Sequence, residues 1–237
     1  MTSSSKHSPN KLAKISKLAC IAFLSFLLIL ACQFFISSVL IVKPEQTISL
    51  WENKKKPVDA AQALTIIYRL ERAERLAFLP LRLRDSTKIN ELYSRLYLTL
   101  ALLEHPESNL ISAEHYALRL TQEAPSDYLG WTLLAQSKVN NENYNWEDQS
   151  ALTKTLTLGP FERTNQIRLV PLLIENWATL SLKNKALASN MLHAALNELH
   201  MSRLAAMNMR KFGNIEPFRR LIANSRYNDR IQRVLLQ

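Results

Sequence analysis

The chain has 237 residues, and its 30 lysines and arginines outnumber its 20 acidic residues, which gives a net charge of +10. Only three glycines occur, and none belongs to a glycine-rich phosphate loop, so the usual kinds of nucleotide hydrolysis and nucleotide-sugar binding are not expected. Cys20 and Cys32 both lie in one apolar run, so disulfides and thiol redox chemistry are excluded from the rest of the chain.

The chain begins with a basic, serine-rich head at residues 1–17, and an uncharged apolar run of 25 residues follows at 18–42. A helix of that length crosses a bilayer core of about 30 Å. We therefore expect a single-pass signal anchor whose head stays in the cytoplasm. Lys43 and the lysines at 54–56 place a similar number of charges on the far side, which weakens the orientation rule. Two alternatives remain open: a cleaved signal peptide, whose apolar core is normally shorter, and a bacterial lipoprotein signal, which residues 29–32 faintly resemble.

Helices are predicted over most of the remaining chain, after a linker at residues 43–57. The helix at 146–158 is expected to stop at Gly159 in a left-handed conformation. A helix at residues 182–209, the longest after the anchor, is expected to cap the apolar face of the last helix pair. No convincing alternating run of β-branched residues indicates a sheet, so the predicted class is all-α.

Residues 94–127 and 128–161 form two copies of a 34-residue pattern of small and large apolar residues. The recurring pairs are Tyr97 with Trp131, Leu100 with Leu134, Ala101 with Ala135, Ala117 with Ala151, and Leu118 with Leu152. The period and these residues resemble the tetratricopeptide (TPR) family, in which antiparallel helix pairs stack side by side. The resemblance implies a TPR-like solenoid at residues 58–202, with capping helices at its C-terminal end.

A protein-binding function is implied by the same resemblance, because the first helices of TPR pairs line a concave face on which partner segments dock. Periodicity places five exposed polar positions on that face. The asparagine-rich loop at 140–145 is either a binding loop or an insertion. Two aromatic candidates come from it: Tyr144 lies within the loop and Trp146 directly follows it. The resulting partner-binding candidates are Tyr93, Arg95, Thr99, Tyr128, Gln136, Tyr144 and Trp146.

Residues 158–162, 166–169 and 194–196, together with Trp177, resemble the membrane-anchored TPR proteins of the VpsP type, which are found with bacterial exopolysaccharide genes. The resemblance covers roughly residues 111–199 and the anchor. It implies a Gram-negative inner-membrane protein with a cytoplasmic N-terminus and a periplasmic domain. Such a protein would help to assemble or regulate a polysaccharide-secreting complex, so its expected partners are the membrane and proteins of that synthesis or export complex.

The C-terminal segment, residues 203–237, has eight basic residues and two acidic ones, whereas residues 43–202 are neutral overall. Its apolar residues alternate with the charges as in a pair of short amphipathic helices. Anionic lipid headgroups, an acidic partner or an acidic glycan would fit this surface, and the alternative is a solvated edge whose apolar side packs on the array. No recognition motif favours nucleic acid. The candidates for an anionic contact are Arg210, Lys211, Arg219, Arg220, Arg226, Arg230 and Arg233.

No catalytic or metal-binding residues are predicted. His193 and His200 share a helix face but lie two turns, about 10 Å, apart, which is too far for one metal ion. We therefore expect a non-catalytic scaffold without a cofactor. Two alternatives stay open: an envelope chaperone or translocon ancillary protein, and a glycan-active enzyme with an unrecognised helical site.

Overall fold

The computed structural model describes residues 9–53, 55–76, 83–101, 106–141 and 145–237. Within these ranges the chain forms eleven α-helices and no β-strand, so the predicted all-α class is confirmed. The helices are α1 Pro9–Glu52, α2 Ala60–Leu76, α3 Leu83–Leu100, α4 Pro106–Glu123, α5 Tyr128–Val139, α6 Ser150–Leu158, α7 Arg163–Glu175, α8 Leu182–Leu196, α9 Leu199–Phe212, α10 Arg219–Ala223 and α11 Asn228–Leu236. Tyr144, one of the partner-binding candidates, lies outside the described residues.

Helix α1 is 44 residues long and contains the whole apolar run, with Pro44 inside it. Most of the large side chains between residues 18 and 36 are exposed. By length and composition, α1 is the one helix in the described ranges that could cross a membrane. A candidate membrane span is therefore present where the sequence places one.

The predicted linker at residues 43–57 is wrong for its first ten residues, because α1 continues to Glu52. Ile41, Ile48 and Trp51 recur on one face of this helix, and each is at most 7% exposed. That face packs against α2 and α3 in a core of its own. Burying a large apolar side chain contributes about 1.5–3 kcal/mol, so the helical, packed conformation is favoured over an extended linker.

The helices after α2 form a repeat-like array of pairs. α3 packs against α4, and α5 packs against α6. The first helices also contact one another in the order α3, α5, α7 and α9, while α6 contacts α8. Three of the four alanines of the sequence repeat, Ala117, Ala135 and Ala151, are buried in the main core and allow the helices to approach closely. Each pair thus covers the apolar side of its neighbour.

Gly159 follows the end of α6, but not in the predicted left-handed conformation, because its φ is −140°. A Cβ atom at this position would lie 2.7 Å from Cγ of Tyr128, at the start of α5. Glycine is therefore required by the close approach of the two helices. Trp146 lies in the turn before α6, which begins at Ser150 instead of residue 146.

The predicted long helix at residues 182–209 is wrong, because the chain breaks there into α8 and α9. The Glu198 carboxylate caps α9 by accepting a hydrogen bond from the backbone N–H of Met201 at 2.7 Å. The Ser225 hydroxyl donates to the carbonyl of Leu196, the last residue of α8, at 2.6 Å. The break lets α9 turn back and pack on α7.

The C-terminal segment contains the two short amphipathic helices that the sequence predicts, α10 and α11. Phe218, Ile222 and Ile231 are each at most 1% exposed and belong to the main core. All seven basic candidates of this segment are exposed. The segment is therefore an edge that packs on the array by its apolar side and presents its charges to solvent.

A buried polar cluster joins α5, α6 and α7. The amide oxygen of Asn165, which is fully buried, lies within hydrogen-bonding distance of the hydroxyls of Thr132 and Thr155, at 2.7 and 3.1 Å. The amide N–H of Asn165 donates to the carbonyl of Gly159 at 2.7 Å. Because these polar groups satisfy one another, the cluster fixes the three helices relative to each other.

Replacing Asn165 with alanine should destabilise the array by about 1–3 kcal/mol, because the Gly159 carbonyl would lose its 2.7 Å donor and the two threonine hydroxyls would each lose one buried partner. Thermal or urea unfolding of the full-length protein in an uncharged detergent, followed by circular dichroism, measures the loss. Asn190→Ala removes an exposed asparagine of α8 and should leave the unfolding midpoint nearly unchanged. Equal midpoints for the two variants would contradict a structural role for the cluster.

Candidate binding groove

A groove of about 1020 Å³ runs between the end of α1 and the first helices of three successive pairs, α3, α5 and α7. We call it the α1 groove. The residues that line it include Glu45, Trp51, Glu52, Lys88, Glu91, Arg95, Leu98, Thr99, Tyr128, Leu129, Gln136, Thr164, Ile167, Arg168 and Pro171. The first helix of each pair therefore forms the concave face, and α1 forms one of its sides.

Four of the partner-binding candidates meet in the α1 groove: Arg95 and Thr99 from α3, and Tyr128 and Gln136 from α5. They are less exposed than the sequence predicts. Thr99 is only 6% exposed, and its hydroxyl donates to the carbonyl of Arg95 at 2.8 Å. The 34-residue period thus predicts their common location but overestimates their exposure, because α1 covers part of this face.

Tyr93 lies in the core, so its prediction as an exposed position is wrong. Its side chain is 2% exposed and its ring stacks on that of Tyr116, with 4.4 Å between the centroids. Two residues apart on a helix are about 200° apart around its axis, so Tyr93 and Arg95 point to opposite sides. Trp146 also lies outside the groove, half-buried against the main core.

The carboxylate of Glu52, at the end of α1, is held by two arginines. Arg95 donates to both of its oxygens, through Nε to Oε1 at 3.0 Å and through Nη2 to Oε2 at 2.6 Å. Arg168 of α7 donates through Nη2 to Oε1 at 2.6 Å. Glu52 thereby joins α1 to the first helices of two pairs, across 43 and 116 residues of sequence.

The ionic network continues along α3. Arg95 Nη1 donates to Glu91 at 2.8 Å, and Lys88 donates to Glu91 at 3.2 Å and to Glu45 of α1 at 2.7 Å. Together with Arg168 and Glu52, three basic and three acidic side chains alternate, so their charges cancel. The outer pair is the more exposed, since the Glu45 side chain is 43% exposed and that of Glu52 is 20% exposed.

Glu52 and Arg95, which pair within the network, are both charged. Glu52 lies ten residues beyond the apolar run. Burial alone would raise the pKa of its carboxyl, but the hydrogen bonds and positive charges of Arg95 and Arg168 outweigh burial, so that the pKa is lowered. Burial alone would lower the pKa of Arg95, but Glu52 and Glu91 raise it above its usual range. The wall of the groove therefore consists of compensated charges.

Gln136 and Trp51 contribute the uncharged polar groups of the wall. The amide oxygen of Gln136 accepts a hydrogen bond from Arg168 Nη1 at 3.2 Å. The indole N–H of Trp51 is buried and has no hydrogen-bond partner among the described residues. A buried donor without a partner costs about 1–3 kcal/mol. In the described ranges, no group of three or more His, Cys, Asp or Glu residues could hold a metal ion.

Glu45, Trp51 and Glu52 lie in the residues predicted to be a linker, so none of them is among the predicted site residues. A signal for them was present: Ile41, Ile48 and Trp51 have the spacing of one helix face, and a packed face at this position brings the neighbouring glutamates to the array. Arg168 is missed because its partner is 116 residues away and no local pattern connects the two.

Replacing Glu52 with glutamine should loosen the end of α1, since Arg95 and Arg168 would lose their shared counter-charge. The expected cost is about 1–3 kcal/mol, on the scale of hydrogen bonds to charged groups and reduced for residual solvent screening. Hydrogen–deuterium exchange over residues 43–52 measures the opening.

Glu45→Gln is the matched control on the same helix, because its pair with Lys88 is more exposed and should contribute less than about 1 kcal/mol. Faster exchange is expected in Glu52→Gln than in Glu45→Gln. If the two variants exchanged equally, Glu52 would not be the residue that attaches α1.

Comparison of the chain with protein-family models, with curated proteins and with solved structures finds no match. The interpretation of the α1 groove therefore rests on its own contacts. These are a concave face built from three first helices, a compensated charge network and a docked helix that leads into the apolar run.

Proposed function

We propose that the protein is a non-catalytic, membrane-anchored scaffold that binds a segment of a partner protein in the α1 groove. The observation that carries this proposal is the position of the groove, which α1 forms jointly with the first helices of three pairs. Its central residue, Glu52, lies ten residues after the apolar run, or about 15 Å along the helix. A partner bound there is held next to the membrane, which raises its local concentration.

The volume and lining of the groove favour a peptide segment over a small molecule. At about 1020 Å³, the groove reaches the upper end of the range of about 300–1,000 Å³ typical of small-ligand pockets. Leu98, Leu129 and Ile167 offer apolar contacts beside the paired charges. Helical repeat proteins bind helices or extended segments on such concave surfaces.

The proposed setting is the inner membrane of a Gram-negative bacterium, with the basic head in the cytoplasm and the helix array in the periplasm. The charges of residues 1–17 support this orientation. The proposed partners are components of a polysaccharide synthesis or export complex, and the resemblance to VpsP-type proteins supports that choice.

Photo-crosslinking in cells tests the groove as the binding surface. A photoreactive amino acid at Thr164 or Ile167, which are exposed in the groove, should crosslink to one protein or a few. The same amino acid at Ile111 or Leu118, which are exposed on α4 outside the groove, should give little product. Mass spectrometry identifies what is captured.

The identity of the crosslinked proteins separates the alternatives. Polysaccharide polymerase, chain-length or export components would support the proposed setting. A broad set of envelope precursors together with translocon subunits would contradict a dedicated scaffold and favour a chaperone. Equal crosslinking from α4 and from the groove would contradict the α1 groove as the binding surface.

Cysteine labelling tests the orientation, because Cys20 and Cys32 are the chain's two cysteines and can be replaced by serine and alanine. A cysteine introduced at Lys183, which is exposed at the start of α8, should react with an impermeant maleimide once the outer membrane is permeabilised. A cysteine at Ser5, in the basic head, should react only after the inner membrane is lysed. The reverse pattern would invert the proposed topology.

A further inference from the structure

A second cavity, of about 470 Å³, lies between α9 and α11 at the C-terminal end of the array. Four arginines line it, Arg203 and Arg210 from α9 with Arg230 and Arg233 from α11, and we call it the arginine pocket. Of the seven basic candidates of the C-terminal segment, three belong to this pocket, whereas Arg203 is added by the structure alone. The other four candidates lie outside it.

The two helices that form the arginine pocket are held in place, because both pack on the main core. Ile231, between the two arginines of α11, is 1% exposed, and Met209 of α9 is fully buried. The Arg210 guanidinium donates through Nη1 to the carbonyl of Val234 at 3.2 Å, which ties α9 to α11. The apolar side of α11 is therefore occupied and is not available for insertion into a bilayer, as the apolar face of a free amphipathic helix would be.

The charges of the arginine pocket are poorly compensated. Its lining, as far as the structure describes it, contains no acidic side chain. Asp229 lies one turn before Arg233 and is not part of the lining, although its carbonyl accepts a hydrogen bond from Arg233 Nε at 3.4 Å. Gln237, which also lines the pocket, has an uncharged side chain. Like charges held together repel one another unless a bound anion or salt offsets them.

The chemistry of the lining indicates the class of anion. Arginine binds phosphate and carboxylate groups through pairs of parallel N–H donors, and four arginines on two opposite walls suit a ligand with more than one negative charge. Met207, which is 47% exposed, and Val234 add apolar contacts beside the charges. A ligand that carries phosphate groups on an organic part matches both features.

We propose that the arginine pocket is a binding site for a polyanion of the phosphate class. The phosphate groups are supplied either by a free organic phosphate or by the headgroup of an anionic lipid. The site is separate from the α1 groove, and neither proposal depends on the other.

Isothermal titration of the full-length protein in an uncharged detergent, with inorganic pyrophosphate as the probe, tests the site. We expect saturable binding of one pyrophosphate per chain, which weakens as the salt concentration rises. The double variant Arg203→Gln/Arg230→Gln removes one arginine from each wall and leaves the Arg210 bond between α9 and α11 in place. It should weaken binding at least about tenfold, on the scale of one to two charge-assisted hydrogen bonds.

The matched control is Arg219→Gln/Arg220→Gln, which removes the same charge from α10 outside the pocket. Its affinity for pyrophosphate should stay within about twofold of the unaltered protein, because these two exposed arginines do not line the pocket and salt screens exposed charges. Absence of saturable binding, or equal weakening by both double variants, would overturn the proposal. Circular dichroism verifies folding, and Arg233→Gln repeats the test if the first double variant does not fold.

Nanodiscs distinguish the two sources of the anion. The same titration is carried out in phosphatidylcholine nanodiscs with and without phosphatidic acid, whose headgroup is a phosphate monoester. Loss of pyrophosphate binding in the presence of phosphatidic acid would support the pocket and assign it to a lipid headgroup. Unchanged binding would support the pocket and assign it to a free organic phosphate.

Discussion

The attachment of α1 to the helix array is the interaction on which the groove depends. Ile48 and Trp51 provide its apolar part, which is strong but does not fix a direction. Arg95 and Arg168 provide its directional part through the shared Glu52 carboxylate. Each part supports the other, because the packed helix shields the ionic contacts from much of the solvent and the ionic contacts fix the rotation of the helix. Without α1, the concave face would lack a wall, Arg168 would lose the Glu52 carboxylate, and Arg95 would be left with Glu91 alone.

Features that depend on neighbouring residues could be predicted from the sequence. Asp127 precedes α5 and caps it by accepting a hydrogen bond from Leu129 N at 3.0 Å, as the local pattern indicates. The two short C-terminal helices follow from a local alternation of arginines and apolar residues. The 34-residue period placed Arg95 and Gln136 on one surface, because a repeat preserves which side of each helix faces its neighbours.

Features that depend on distant residues could not be predicted in the same way. Nothing near Glu52 in sequence indicates Arg168, and the break between α8 and α9 involves Ser225, which arrives from the end of the chain. The sequence predicts that glycine is needed at position 159 for a left-handed backbone conformation. In the structure it is needed because the ring of Tyr128, from another helix, leaves no room for a side chain. Composition also cannot distinguish the arginines that pair with carboxylates in the groove from those that line the arginine pocket.

The continuity of α1 has a mechanical consequence. Its 44 residues form a rod about 66 Å long that passes through Pro44 and ends as a wall of the groove. If α1 is the proposed membrane anchor, a flexible tether would let the array sample many distances and directions from the lipid surface. A helix packed on the array holds it at one distance and in one orientation relative to the anchor. In the proposed membrane-anchored arrangement, a helix that spans the bilayer tilts to match the thickness of that bilayer, and the array would lean with it. A change in bilayer thickness would thereby change the angle at which a segment bound in the groove meets the membrane.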